Sequence, residues 1–297
     1  MAGMKKTHGA AGTALAESAS DQAAEQGMER ASDRASDRDE NSSDPNFMTS
    51  LARGLAVIRA FTEKSPNLTI ADIAKIAGLP RAAARRCLLT LMQLGYVGTD
   101  GRSFFLKPKI LALGYSFLSS APLATILDPL IEQVSGAIQE SSSAAVMDDD
   151  EVVYIARAAT KRIMSVGLNV GSRLPAYCTS MGRVLLAHMT PAELDAYLGR
   201  VELRPFTERT ITNRDALMRE LERVRERGFA LVDQELELGL RSVAVPVRTA
   251  SGTVVAAINA STQAARVTCP EMEAQFLPPL LRAADDARVL LVRGHIA

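Results

Sequence analysis

Between residues 49 and 110 the apolar positions fall into helical stripes followed by a hairpin. Leu51, Leu55, Ile58 and Phe61 recur at helical spacing and predict an amphipathic helix over roughly residues 49–62. Asn67-Leu68-Thr69 breaks that pattern. Thr69, with Asp72 three residues on, has the form of a capping box and opens a second helix through Ile70, Ile73, Ala74 and Ala77. Gly78-Leu79-Pro80 closes it, because glycine suits a helix C-terminus and proline the first turn of the next helix. A third helix runs from about Pro80 to Leu94, with Ala84, Leu88 and Leu91 as its buried stripe and Arg81, Arg85 and Arg86 off it. Tyr96-Val97 and Phe104–Leu106 are short β-type runs around Thr99-Asp100-Gly101, and Asp-Gly is a strong hairpin signal. A short helix, a tight turn, a longer helix with a basic start and a hairpin predict a winged helix-turn-helix.

The second half changes period. Residues 110–120 are apolar on most faces over only 11 positions, which predicts a linker helix at 111–121, packed on both domains or on a second copy. A helix is expected at 124–139, then strands at 143–147, 152–156 and 162–168. Thr190-Pro191-Ala192-Glu193 reads as a capping box with proline at the first helical position. A charged helix at 213–227 ends at Gly228, strands follow at 229–232, 241–248 and 254–261, and a last helix occupies 270–292. Hairpin-paired strands with interspersed helices predict an α+β domain with an antiparallel sheet and flanking helices. The acidic run Asp148–Glu151 lacks the spaced oxygen ligands and the glycine of a calcium loop, so it reads as a solvated hairpin turn.

Charge sharpens this division. The chain carries 34 basic and 34 acidic residues, a net of zero, but unevenly. Residues 1–49 hold five basic and nine acidic groups, whereas residues 50–110 hold ten basic and three acidic. One short segment therefore concentrates the positive charge, as a nucleic-acid-binding domain does. The N-terminal stretch is mostly Ala, Ser, Asp, Glu and Gln and cannot offset its ordering entropy, so residues 1–47 are expected to be disordered. The expected domains are 48–110 for DNA binding, 111–121 as linker and 122–297 for effector binding. No apolar run approaches the roughly 18–20 residues of a membrane span, and the start lacks a signal-peptide core, which points to a cytoplasmic protein without membrane partners. Cys87, Cys178 and Cys269 lie far apart without metal-type spacing and read as reduced thiols.

Two candidate sites follow. Arg81, Ala82, Arg85 and Arg86 on the third helix, with Arg102, Lys107 and Lys109 in the hairpin, are placed to meet base edges and phosphates of duplex DNA; the competing reading is a solvated helix face. Farther on, Cys178, Thr179 and Ser180 lead into a helix through Val184, Leu185 and Leu186. Free backbone N–H groups and hydroxyls there would suit a carboxylate, while the alternative makes one hydroxyl a plain N-cap. Catalysis finds little support. Ser180-Met181-Gly182 is half of a nucleophile elbow with Cys178 where glycine is required, and neither His188 nor Cys178 has a catalytic partner pattern. No phosphate loop or metal cluster occurs, so no cofactor is expected.

These residues resemble a known family. Residues 69–97, with Ile-Ala-Asp-Ile-Ala-Lys-Ile-Ala-Gly-Leu-Pro80 and a closing Leu-Gly-Tyr-Val97, are similar to the winged-helix domain of IclR-type bacterial regulators. Gly228-Phe-Ala-Leu-Val-Asp-Gln-Glu-Leu-Glu-Leu-Gly-Leu-Arg-Ser-Val-Ala-Val-Pro246 resembles that family's effector-domain signature. Within it, residues 81–86, 162–166 and 174–183 look like the PcaR, PcaU and PobR branch, which governs aromatic-acid breakdown through the β-ketoadipate pathway. The resemblance implies a GAF-like effector domain, homodimers or homotetramers, an operator and a small carboxylate effector. It also implies a pocket with Met164, Leu174, Ser180 and Met181 on one side and Leu240, Ser242, Asn259 and Ser261 opposite. Asp233 and Arg241, polar residues within the signature, are read as pinning the fold.

Overall fold

The computed structural model describes residues 46–62, 64–114, 122–159 and 168–293, and the chain divides between residues 115 and 116 into two units. The first contains α1 (Thr49–Arg59), β1 (Asn67–Leu68), α2 (Ile70–Ile76), α3 (Arg81–Gln93), β2 (Val97–Thr99) and β3 (Phe104–Leu106). The Thr69–Asp72 capping box forms in full, the Thr69 hydroxyl accepting from the Asp72 N–H while the Asp72 carboxylate accepts from the Thr69 N–H. α2 then ends in a Schellman motif: Gly78 N–H reaches Lys75 O and Leu79 N–H reaches Ala74 O, with Gly78 at φ +61°. Pro80 keeps an extended ψ of 140° and stands as the N-cap of α3, so that helix starts one residue later than its sequence suggests.

Ala84, Leu88 and Leu91 of α3 are buried against Val57, Leu68, Ile73 and Val97. α1 departs from its predicted stripe. Leu51 and Leu55 are 59 % and 45 % exposed, and Val57 supplies the buried contact instead. The hairpin is a three-stranded sheet in the order β1-β3-β2, because Asn67-Leu68, read as a pattern break, pairs with Phe105 and Phe104. Of the expected linker helix, residues 111–114 are helical and the rest lie outside the described residues.

The second unit holds α4 (Pro122–Ile138), β4 (Ser141–Asp148), β5 (Glu151–Ala158), β6 (Arg173–Pro175), α5 (Ser180–Ala187), α6 (Pro191–Arg200), α7 (Arg214–Arg227), β7 (Ala230–Asp233), β8 (Leu240–Arg248), β9 (Val254–Gln263) and α8 (Cys269–Arg293). Its six strands form one antiparallel sheet in the order β6-β5-β4-β9-β8-β7. Side chains alternate between its faces. Ile155, Val243, Val245, Val247, Ile258 and Ala260 pack with α4 and α8. Tyr154, Ala145, Ala244 and Ala257 face α5, α6 and α7. The strand expected at 162–168 falls outside the described residues up to 167, and residue 168 is irregular. The acidic turn is held by arginines from elsewhere: Arg173 pairs with Asp148 and Glu151, and Arg200 with Asp150 at 2.8 Å. Among the described residues no helix is long and apolar enough to cross a membrane.

Candidate functional site

Arg81, Ala82, Arg85 and Arg86 are exposed along one side of α3, and Arg102 and Lys107 are exposed on the hairpin. Among the described residues none of these cations is paired with a carboxylate. The hairpin tip is stiffened by Asp100, which accepts from the Ser103 hydroxyl and from the backbone N–H of Ser103 and Arg102. Those bonds hold its carboxyl down at about 2. Lys109, expected near phosphates, also has a structural role. Its ammonium donates to Leu94 O at 2.9 Å and lies 5.1 Å from the Tyr96 ring centroid, tying the hairpin to the end of α3.

The candidate effector face lies under α5. Thr179 is the N-cap of that helix: its hydroxyl accepts from Gly182 N–H at 3.3 Å and donates to Pro175 O at 3.1 Å. Thr179 is thus committed locally, as the N-cap reading expected. Gly182 is required by packing, since a Cβ there would stand 2.1 Å from Ala176 O and 2.4 Å from its Cα. Gly182→Ala must push α5 off this turn, and urea denaturation is expected to register a loss of about 1–3 kcal/mol. Burial pushes the Cys178 thiol up to about 12, so at neutral pH it is a small apolar group and no thiolate nucleophile. His188 is fixed between Val184 O and the Arg248 guanidinium, and burial lowers its pKa, which suits a neutral structural histidine.

On the sheet opposite, register sets Ser143 beside Asn259 and Ser242 beside Ser261, so Ser143, Ser242, Asn259 and Ser261 share the α5 face. Leu240 stands at the start of β8 on the same alternation, and Leu174 of β6 packs against this core. Met181 is buried in it. Met164 lies outside the described residues. Asn259 Nδ2 donates to Ser261 Oγ at 3.1 Å, but its Oδ1 has no partner among the described residues, nor have Ser180 Oγ and Arg157 Nε. Each such orphan costs roughly 1–3 kcal/mol unless something binds it. The Tyr197 hydroxyl in the same layer and Thr262 Oγ1 on β9 are also without a partner among the described residues, while Asn259, Ser180 and Arg157 are the three nearest the candidate face. They sit within the packed layer, apart from an outer groove of about 320 Å³ along Gly228, Pro246, Arg248 and Arg288.

Two ion pairs pin this unit, one on each side of the sheet. Arg183 of α5, about 1 % exposed, binds Glu235 at 2.5 Å and donates to Tyr177 O at 2.9 Å. Arg241 binds Asp233 at 2.7 Å and also donates to Ala264 O and Val267 O, so both polar residues of the signature are occupied in holding the strands together. Among the described residues no cluster of His, Cys, Asp and Glu could hold a metal.

Comparison with known proteins separates a family from a mere fold. The IclR helix-turn-helix domain matches residues 50–101, and the bacterial transcriptional regulator IclR C-terminal domain matches residues 115–288. The chain belongs to the IclR family. It is a DNA-binding transcriptional regulator. This IclR-family chain is 52 % identical to the Pca regulon regulatory protein of Pseudomonas putida over 82 % of its length and 84 % of that protein's. It is 34 % identical to the p-hydroxybenzoate hydroxylase transcriptional activator of Acinetobacter baylyi, over 83 % of its own length and 93 % of the activator's. A crystal structure of an IclR homolog from Microbacterium hydrocarbonoxydans complexed with 4-hydroxybenzoate superposes with a TM-score of 0.72 at 26 % identity, covering 82 % of this chain and 99 % of that one.

Sequence reasoning missed a cation on this candidate face. Ser143 and Arg157 stand opposite each other on β4 and β5, and Arg157 Nη1 donates to Ser143 Oγ at 3.0 Å. A period-two reading of β5 sends Arg157 to the other face.

Proposed function

We propose that this regulator answers to a small carboxylate of aromatic-acid catabolism, an aromatic acid such as 4-hydroxybenzoate or protocatechuate, or the ring-opened β-ketoadipate. The observation that carries the reading is the set of buried, unpartnered polar atoms on the α5 face, taken with relatives named for the pca regulon and for p-hydroxybenzoate hydroxylase. Ser180, Ser242, Asn259 and Ser261 supply hydroxyl and amide groups for the ligand, and Leu174, Met181 and Leu240 its apolar walls. Residues 48–110 form the DNA-binding domain, 111–121 the connection and 122–297 the effector domain. Arg81, Ala82, Arg85 and Arg86 enter the major groove of the operator, with Arg102 and Lys107 near phosphates.

The protein acts in the cytoplasm, without catalysis, as a homodimer or homotetramer. Leu51 and Leu55, exposed one turn apart on α1, are the apolar surface a second copy would cover. An effector shifts DNA binding only by binding two arrangements of the protein with different affinity.

A thermal-shift panel tests this. Protocatechuate, 4-hydroxybenzoate and β-ketoadipate are compared with pyruvate and glyoxylate on the full chain. At about 100 times its dissociation constant, the effector should stabilise the protein by roughly 2.7 kcal/mol. Ser180→Leu should remove that shift while heparin retention persists. A shift with pyruvate or glyoxylate alone would replace the aromatic reading with a different metabolite class.

A further inference from the structure

The sheet register carries one residue further than the sequence does. Ala144 pairs with Ala156, but the next residue of β4, Ala145, pairs with Tyr154, so Ile155 is an extra residue in β5. The bulge resets the alternation. Val152 and Tyr154 face α5, Ile155 and Ala156 both turn into the α4–α8 core, and Arg157 returns to the α5 face opposite Ser143. Without the extra residue a guanidinium would point into the core of Val243, Val245 and Ile258.

Arg157 is also kept without a counter-ion. Its one bond among the described residues is to the neutral Ser143 hydroxyl, and its buried Nε has no acceptor. Burial lowers its pKa, and only Tyr154 opposes that shift. Arg173, Arg183 and Arg241 elsewhere in this unit each have a carboxylate partner. The cross-strand row Arg157–Ser143–Asn259 sets the two outer backbones two strand spacings, about 10 Å, apart, with the guanidinium held at Ser143 between them and the unpartnered Asn259 amide oxygen in the same row.

We propose that Arg157, aimed by the β5 bulge and steadied by Ser143, is the residue that binds the effector's carboxylate, with Asn259 meeting the ligand's far end. This assignment rests on the carboxylate-effector reading above. A guanidinium offers a carboxylate two parallel N–H donors in a fixed fork, and the free Nε edge is one such pair.

The test uses the full chain and titrates protocatechuate, 4-hydroxybenzoate and β-ketoadipate, each beside its primary amide, by calorimetry. The native protein should favour the acid over the amide. Arg157→Gln should weaken acid binding about 10- to 150-fold and erase the preference, because a hydrogen bond to a charged group is lost. Arg157→Lys should recover part of it, keeping charge without the fork. A cooperative melting transition reports that each variant folds. Should Arg157→Gln not fold, Ser143→Ala takes its place, and a selective several-fold loss of acid over amide is expected. Acid binding unchanged in these variants would overturn the assignment while leaving the effector class intact. A native protein that binds none of the acids would overturn both.

Discussion

Arg183→Met is expected to destabilise the effector unit by about 3–5 kcal/mol, a large share of the 5–15 kcal/mol that holds a typical domain together. The cause is the carboxylate left behind. Glu235 is buried, and among the described residues its Oε2 receives, apart from Arg183, only the Ile211 N–H at 3.1 Å. Attraction inside the protein balances the desolvation of both charges only while both are present. The double variant Arg183→Met/Glu235→Gln should therefore lose less than Arg183→Met alone, because the amide oxygen can still accept from Ile211. Urea midpoints of the three proteins decide the matter. Equal midpoints for native protein and Arg183→Met would show that the pair contributes nothing.

The second large effect concerns DNA. Replacing Arg81, Arg85 and Arg86 together by alanine is expected to weaken operator binding at least about 100-fold. A single bidentate contact to a base is worth about 1–3 kcal/mol, and phosphate contacts add a salt-dependent term. Duplexes selected by the native protein from a random pool serve as the probe. The logarithm of affinity should fall linearly with the logarithm of salt concentration, and the triple variant should show a shallower slope. Native-like binding by the triple variant would show that α3 does not read DNA.

Local chemistry is what the sequence displayed best. The capping boxes at Thr69–Asp72 and Thr190–Glu193 formed because both partners lie within one helical turn. The αL termination at Gly228 and the Asp100 turn are equally short-range. The antiparallel sheet followed from hairpin signals. Features set by distant partners stayed hidden. β1 exists only because Phe104 and Phe105 arrive to pair with it, and β6 only because β5 offers an edge. Arg183 and Glu235 are 52 residues apart, with no spacing rule to link them. At the candidate site, the row of Ser143, Asn259, Ser242 and Ser261 is a matter of register, and only its β8 and β9 members came through the family resemblance. Arg157 was masked by the bulge, since a strict period of two assigns it to the wrong face.

The two-faced sheet also constrains how such a regulator can evolve. Along β8 and β9, Val243, Val245, Ile258 and Ala260 anchor the apolar core, while their immediate neighbours Ser242, Ala244, Asn259 and Ser261 face the effector side. Ligand preference is thus free to drift by exchanges at every second position without unsettling the fold. Insertions and deletions have no such freedom. A single residue removed from β5 at Ile155 would exchange the two faces from there onward and put the guanidinium in the hydrocarbon interior. Descendants of this protein should diversify their chemistry by substitution and keep the length of this strand fixed.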